Sequence, residues 1–359
     1  MKPLARVIAF YLPQFHPIPE NDKWWGNGFT EWTNVGKAKK LFSGHYQPRV
    51  PADLGYYDLR VPEVREAQAQ MAKEYGVEGF CYWHYWFGNG KRLLEKPFNE
   101  VLESGKPEYP FCLAWANESW KGFAHGLKNR EVLIKQQYPG IEDYKNHFYE
   151  VLPALKDKRY ILIDGKPIFT IFKPMADPEV IVFMNVWREL SLKNGLKGIY
   201  FVGISDDVNT LEQIYATGVD AINTYRLNTY IVKHRSFIQK VVDRIIRKIH
   251  LRPVTYSYKK ISKYFIEKNI DSKETIFPSI MPGWDHTPRS GFEGLVIKNS
   301  TPKLFLEQVK SMVDLIQHKD SEHKIIFLKS WNEWAEGNYM EPDLKFGFKF
   351  LEALKKGLF

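Results

Sequence analysis

Eight short apolar runs recur along this 359-residue chain, and stretches with helical spacing separate most of them. The runs are Ala5–Leu12, Val77–Phe87, Tyr109–Ala116, Pro167–Phe172, Ile199–Ile204, Ala221–Tyr225, Ile276–Met281 and Ile325–Lys329. Near-continuous hydrophobicity over so few residues marks strands covered on both faces of a parallel sheet. The helix-compatible stretches are Val61–Tyr75, Tyr144–Leu155, Pro178–Asn194, Asn209–Thr217 and Leu304–His318. This α/β alternation predicts a (β/α)8 TIM barrel. A doubly wound open sheet would show the same rhythm but follows its first strand with a Gly-rich phosphate loop. Here YLPQFHPIPEND stands in that place.

Barrel enzymes carry their sites at the C-terminal ends of the strands. Polar and aromatic residues gather at those ends: Tyr11, Gln14 and His16; Trp83, His84, Tyr85 and Trp86; Trp115, Asn117 and Glu118. Asp206 and Asp207, Tyr225, and Trp284 with Asp285 continue the pattern. Each alone fits packing or a loop hydrogen bond. Their repetition at one end of several strands is what predicts a site.

The last run leads into IIFLKSWNEWAEGNYMEPD (325–343), which passes from apolar residues to Trp331, Asn332, Glu333, Trp334, Glu336 and Glu341. Glu333 and Glu336 are three residues apart, so both carboxyls can reach one small cavity. Two acids in one cavity need not titrate alike, and one can serve as acid while the other serves as base. Paired carboxylates suit the cleavage of a glycosidic bond, and neighbouring rings suit the apolar faces of sugars. The plainer alternative is one Glu capping a backbone amide and the other pairing with a lysine.

These residues carry a resemblance. WNEWAEGNYMEP is similar to the carboxylate motif of the glycoside hydrolase family 99 endo-mannosidases, Phe-Asn-Glu-Trp-His-Glu-Gly. The whole chain more closely resembles the WbsX-type proteins of bacterial O-antigen and capsule clusters, labelled glycosyltransferases yet similar to family 99. The closer match runs through residues 9–35, 44–60, GFCYWHYWF (79–87), PFCLAWANESW (110–120) and GWDHTPR (283–289). It implies a retaining enzyme acting on an α-mannoside-like linkage in a surface polysaccharide, with WbsX-type transfer during polysaccharide assembly as the alternative. By resemblance, Glu333 would deprotonate the substrate's 2-hydroxyl, which forms a 1,2-anhydro sugar. Glu336 would protonate the departing oxygen and then activate water. That needs a raised pKa on Glu336 and an ionised Glu333, with Asn332 orienting one of them and Trp331 or Trp334 excluding water. Glu118, in an Asn-Glu pair at a strand end, is the rival acid for a mechanism with a covalent glycosyl-enzyme.

The residues expected to bind substrate are Tyr11, His16, Trp83, His84, Tyr85, Trp115, Asn117, Glu118, Tyr225, Trp284, Asp285, Trp331, Asn332 and Glu341. Two long aromatic loops, Asn21–Pro51 and Ala116–Gln136, are expected over the barrel mouth without regular structure. Where relatives usually carry Arg-Trp-Asp-Gly, the second loop reads KGFAHGLKNR. No metal-ligand spacing occurs, and Cys81 and Cys112 lie within apolar runs as expected free thiols. The expectation is a single barrel domain over 1–359, free of cofactor and metal, with an oligosaccharide or polysaccharide as partner. The first run begins at Ala5 with no leader before it, which predicts a cytoplasmic protein.

One segment stands apart. Arg226–Ile270 holds 12 Lys or Arg against Asp243 and Glu267, a balance of +10, whereas the whole chain is +9. The remainder is near neutral, which argues against a general polyanion binder, and no base-stacking aromatics alternate with these charges, which argues against nucleic acid. Within this basic insertion apolar residues from Phe237 to Ile249 repeat at helical spacing opposite Lys240, Arg244, Arg247 and Lys248. That pattern fits a helix packed on the barrel with a solvated basic face, or one making peripheral contact with an anionic membrane.

Overall fold

The computed structural model describes residues 2–122, 131–230, 235–249 and 251–359. All eight apolar runs form strands: β1 (Arg6–Tyr11), β2 (Gly79–Trp86), β3 (Phe111–Trp115), β4 (Lys166–Ile171), β5 (Tyr200–Ser205), β6 (Ala221–Thr224), β7 (Ile276–Ile280) and β8 (Ile325–Leu328). Each pairs in parallel with its sequence neighbours, and β8 returns to β1, which closes a (β/α)8 barrel. The helices include α1 (Pro19–Trp25), α2 (Glu31–Gly36), α3 (Pro62–Glu74), α4 (Lys96–Ser104), α5 (Ile141–Leu155), α6 (Glu179–Lys193), α7 (Leu211–Ala216), α8 (Phe237–Lys248), α9 (Pro302–Ile316) and α10 (Lys349–Leu358).

Successive strand side chains point to opposite faces, so half enter the barrel and half meet the helices. Phe10 stacks on Trp83 and Phe327 inside the barrel, with centroids 4.9 and 5.1 Å apart. Tyr11, His84 and Trp115 have the other parity. Trp115 packs on Phe183 of α6 at 4.6 Å, and His84 Nε2 lies 2.7 Å from His147 Nε2 on α5. Cys81 and Cys112 are register partners on β2 and β3, and both are buried free thiols, as expected.

The segment after β1 departs from expectation, since α1 and α2 form inside it. Pro19 occupies the first turn of α1 with Glu20 and Asp22 beside it, and Thr30 with Thr33 makes a reciprocal cap on α2. These are ordinary helix-start signals, and they outweigh the Gly and Trp content. In the second loop Trp120–Lys121 pairs with Val132–Ile134, while residues 123–130 of KGFAHGLKNR lie outside the described residues.

The basic insertion is fixed to the barrel by a buried fork. Both terminal nitrogens of Arg226 donate to Asp271, each at 2.6 Å. Leu227, Tyr230, Tyr258, Ile261 and Phe265 form a small apolar cluster with Met281 and Ile297. α8 does not pack its apolar face on the barrel, the first of the two arrangements its pattern fits: Phe237, Ile238, Val241, Val242 and Ile245 are all exposed. Among the described residues no helix is long and apolar enough to cross a membrane.

Candidate active site

Beyond β8 the chain passes a cis peptide at Lys329–Ser330 and forms a two-residue hairpin, Asn332–Glu333 against Asn338–Tyr339. A 3₁₀ turn over Trp334–Glu336 links its arms. The turn closes on Gly337, at φ 58°, where a Cβ would lie 2.7 Å from the Asp285 side chain. Only glycine fits both the left-handed backbone and that space. The Glu333 amide donates to Ser330 Oγ at 3.0 Å. So held, both Glu side chains are nearly buried at the C-terminal end of the barrel, Glu333 at 9% exposure and Glu336 at 16%.

One guanidinium joins them. Arg289 Nη1 donates to Glu336 Oε1 at 2.6 Å, and Nη2 lies 3.7 Å from Glu333 Oε2. Nη2 also pairs with Glu31 Oε2 at 3.0 Å, so a buried carboxylate on α2 holds the arginine from behind. His286 Nε2 is 3.9 Å from Glu336. Burial pushes the Glu333 carboxyl up, the Glu336 charge adds to this, and Arg289 only partly offsets it, so Glu333 titrates at about 7. Burial pushes Glu336 up too, but Arg289, His286 and Lys329 outweigh it and hold Glu336 below its ordinary value. At neutral pH the site therefore keeps Glu336 ionised while Glu333 retains much of its proton. This is the reverse of the order the resemblance implies, and the cause is that Arg289 bonds Glu336 directly and only approaches Glu333.

Two tyrosines face this pair. Burial and the charges of Glu333, Glu31 and Glu118 raise the Tyr85 hydroxyl. Burial and the charges of Asp206, Glu336 and Glu118 raise that of Tyr225. Lys329 Nζ sits 4.7 Å over the Tyr225 ring. Tyr225 also borders a recess of about 310 Å³ lined by Phe172, Ser205 and Asp206. Asp207, beside it, caps the following turn by accepting from the Asn209 amide at 3.0 Å. On the other flank Trp120 packs edge-on against Tyr85 at 5.2 Å, and Trp24 of α1 meets Trp120 edge-on at 5.9 Å.

The structure gathers Glu333, Glu336, Tyr85 and Tyr225 at one place, with Trp83 inside the barrel below them. Several other expected substrate ligands are not at the cavity. Tyr11 donates to Gln68 Oε1 at 2.6 Å, on the outer side of the barrel. His84 and Trp115 point outward to α5 and α6 because strand alternation sends them there. His16 is buried with Nδ1 2.9 Å from the Pro13 carbonyl, and burial lowers its pKa. Asn117 bonds the Lys173 backbone at 2.9 and 2.8 Å and so ties two loops together. Glu118, by contrast, is half-exposed and paired with Lys173, yet near enough for its charge to act on both Tyr85 and Tyr225.

Motif residues also serve as support. Asn332 exchanges hydrogen bonds with Leu12 O and N at 3.0 and 2.7 Å and orients neither glutamate through its side chain. Trp331 and Trp334 are fully buried, so neither offers a face to a sugar. Glu341 accepts from Trp334 Nε1, Gln68 Nε2 and the Tyr57 hydroxyl at 2.6, 2.6 and 2.9 Å, beneath the site. Asp285 is fully buried and accepts from His45, Gln47 and Thr287, which pins the GHYQPR loop to GWDHTPR. Trp284 is half-buried and stacks on His286 at 6.2 Å. Sequence reasoning missed Arg289, Glu31, His286 and Lys329, although Arg289 and His286 stand inside the quoted GWDHTPR run.

Comparison with known proteins agrees with this architecture. Residues 7–354 match the family described as "Glycosyltransferase WbsX". Two Xanthomonas campestris pv. campestris proteins described as "Uncharacterized protein WxcX", from strains B100 and ATCC 33913, are each 34% identical over 355 residues. The match takes in 99% of this chain and 50% of theirs, so the chain spans about half the length of these relatives. A GH99 endo-alpha-mannosidase from Bacteroides thetaiotaomicron superposes with a TM-score of 0.59 at 15% identity, over 99% of this chain and 97% of that one. A "Glycoside hydrolase-like protein" superposes with a TM-score of 0.58, also at 15% identity, over 100% and 94% of the two chains.

Proposed function

The chain belongs to the WbsX glycosyltransferase family, and from that premise we propose a carbohydrate-active enzyme that cleaves an α-mannoside-like linkage in a bacterial surface polysaccharide. The observation that carries the reading is the pair Glu333 and Glu336, buried on one turn with opposed proton affinities set by one arginine. An acid and a base side by side at the end of a barrel strand are what glycosidic chemistry requires. In the neighbouring-group route one carboxylate draws the proton from the sugar's 2-hydroxyl, whose oxygen attacks the anomeric carbon. The other carboxyl protonates the departing oxygen, and water then opens the 1,2-anhydro sugar with overall retention. Because Glu333 holds its proton more tightly in the substrate-free site, Glu333 is the donor and Glu336 the acceptor in this reading.

A glycoside whose leaving group needs no protonation tests the assignment. Loss of the donor should then matter little, so Glu333→Gln should regain activity on it while Glu336→Gln stays inactive. Rescue of Glu336→Gln alone would overturn the assignment and restore the roles that the resemblance implies, with Arg289 displaced when substrate enters. The family's description favours a second outcome of the same chemistry, transfer of the sugar to a carbohydrate hydroxyl instead of water. Incubation with purified polysaccharide, with and without nucleotide sugars, separates hydrolysis from transfer.

A further inference from the structure

Helix α8 leaves its apolar side uncovered. Phe237 is 80% exposed and Ile238 72%, and Val241, Val242 and Ile245 are exposed beside them. Ile246 is buried, and Asp243 on the same side bonds Arg235 at 2.7 Å and the Tyr256 hydroxyl at 2.6 Å. These two residues define the side that faces the protein. At about 100° per residue, the uncovered apolar side lies roughly a third of a turn from it, and Lys240, Arg244 and Lys248 make a third side between the two. The helix therefore presents an apolar strip and a basic ridge to its surroundings together.

We infer that α8 is a membrane-surface helix that lies in the headgroup layer of a bilayer carrying anionic lipid. An apolar strip alone would accept many partners, and the charge chooses among them. Asp243 is the single acid of the helix and is already paired, so the outer sides carry positive charge only. Lys259, Lys260 and Lys263 on the next turns are exposed as well. A second copy would bring the same basic ridge against its own likeness, whereas anionic headgroups complement Arg244, Lys248, Lys259 and Lys263 while acyl chains cover Phe237 and Ile238.

Sedimentation of the full chain with phosphatidylcholine vesicles containing phosphatidylglycerol tests the inference. Binding is expected at low salt, with release at high salt and little binding to phosphatidylcholine alone. Joint reversal of Lys240, Arg244 and Lys248 to Glu should weaken it roughly a hundredfold or more. Phe237→Ser with Ile238→Ser and Ile245→Ser should abolish it too, and neither set should lower the melting temperature, because these side chains leave the core untouched. Absence of binding to anionic vesicles at low salt overturns the inference, as does binding that survives both variant sets. A dimer in sedimentation velocity that the serine variant dissociates would assign the surface to a second copy instead.

Discussion

The opposed proton affinities predict that two chemically identical substitutions act on stability with opposite signs. Unfolded, Glu333 ionises near its ordinary value of 4.5, and folded it does so at about 7. The folded state thus holds the extra proton across that window, and stability falls as pH rises through it. The separation of about 2.5 units corresponds to about 3 kcal/mol at pH 8, on the order of 1.4 kcal/mol per unit. Glu333→Gln removes this penalty. With roughly 2 cal/mol/K of unfolding entropy per residue over 359 residues, the variant should melt about 4 °C above the parent at pH 8. The gain should vanish by pH 4.5. Glu336→Gln should do the reverse, because it strips Arg289 of its 2.6 Å partner and loses a charged hydrogen bond of about 1.5–3 kcal/mol. Glu341 also titrates at about 7, but it is present in every variant and cancels in the comparison. Differential scanning calorimetry from pH 4.5 to 8 reads the result. If Glu333→Gln has the same offset at every pH, or if both variants destabilise at pH 8, the electrostatic account of the pair is wrong.

Three further outcomes follow from the site. Glu333→Gln and Glu336→Gln should each lose about 10²–10⁴ in turnover on the natural linkage with little change in affinity, and a 2-deoxy substrate should be inert. A sugar trapped covalently on any Glu would shift attention to Glu118. Arg289→Lys cannot serve Glu31 and Glu336 at once, so the Glu336 carboxyl should titrate at higher pH in carbon-13 NMR, and an unmoved resonance would remove Arg289 from its role. Asp285→Ala strands His45, Gln47 and Thr287, so it should lower stability by about 2–4 kcal/mol in denaturant titration. It should leave KM unchanged and lower the apparent turnover only by the fraction unfolded, since the bonds Asp285 makes hold loops together.

Most of the barrel was legible along the chain. A strand covered on both faces must be apolar throughout, and each of the eight runs overlaps an observed strand within a few residues. The same continuity hid the inward and outward parity. In GFCYWHYW every position is apolar or aromatic, so nothing in composition separates Trp83 and Tyr85, which face the barrel, from His84 and Trp86, which meet α5. Counting in twos from Phe10 and Trp83 would have excluded His84, and Tyr11 beside Phe10 as well. In α8 the sequence showed both an apolar and a basic face but not which side rests on the protein. That depends on the Arg235–Asp243–Tyr256 contacts, whose spacing follows no helical period.

The chemistry of the pair divides along the same line. That Glu333 and Glu336 share a cavity is a local fact, fixed by three residues of spacing and by the turn that Gly337 permits. Which of them keeps a proton is not local. It is decided by Arg289, 47 positions before Glu336, and by Glu31, 258 positions before Arg289. Without Glu31 the guanidinium would be free to center between the two acids and would lower both. Drawn back toward α2, it bonds Glu336 and leaves Glu333 at 3.7 Å, where burial prevails over attraction. In the proposed reading, a carboxylate on α2, a helix that carries no catalytic group, thus sets the acid–base order of a motif at the opposite end of the chain. Glu31→Gln should therefore bring the two titrations closer together, with Glu333 falling as Arg289 moves toward it, and the carboxyl resonances of both residues would report it.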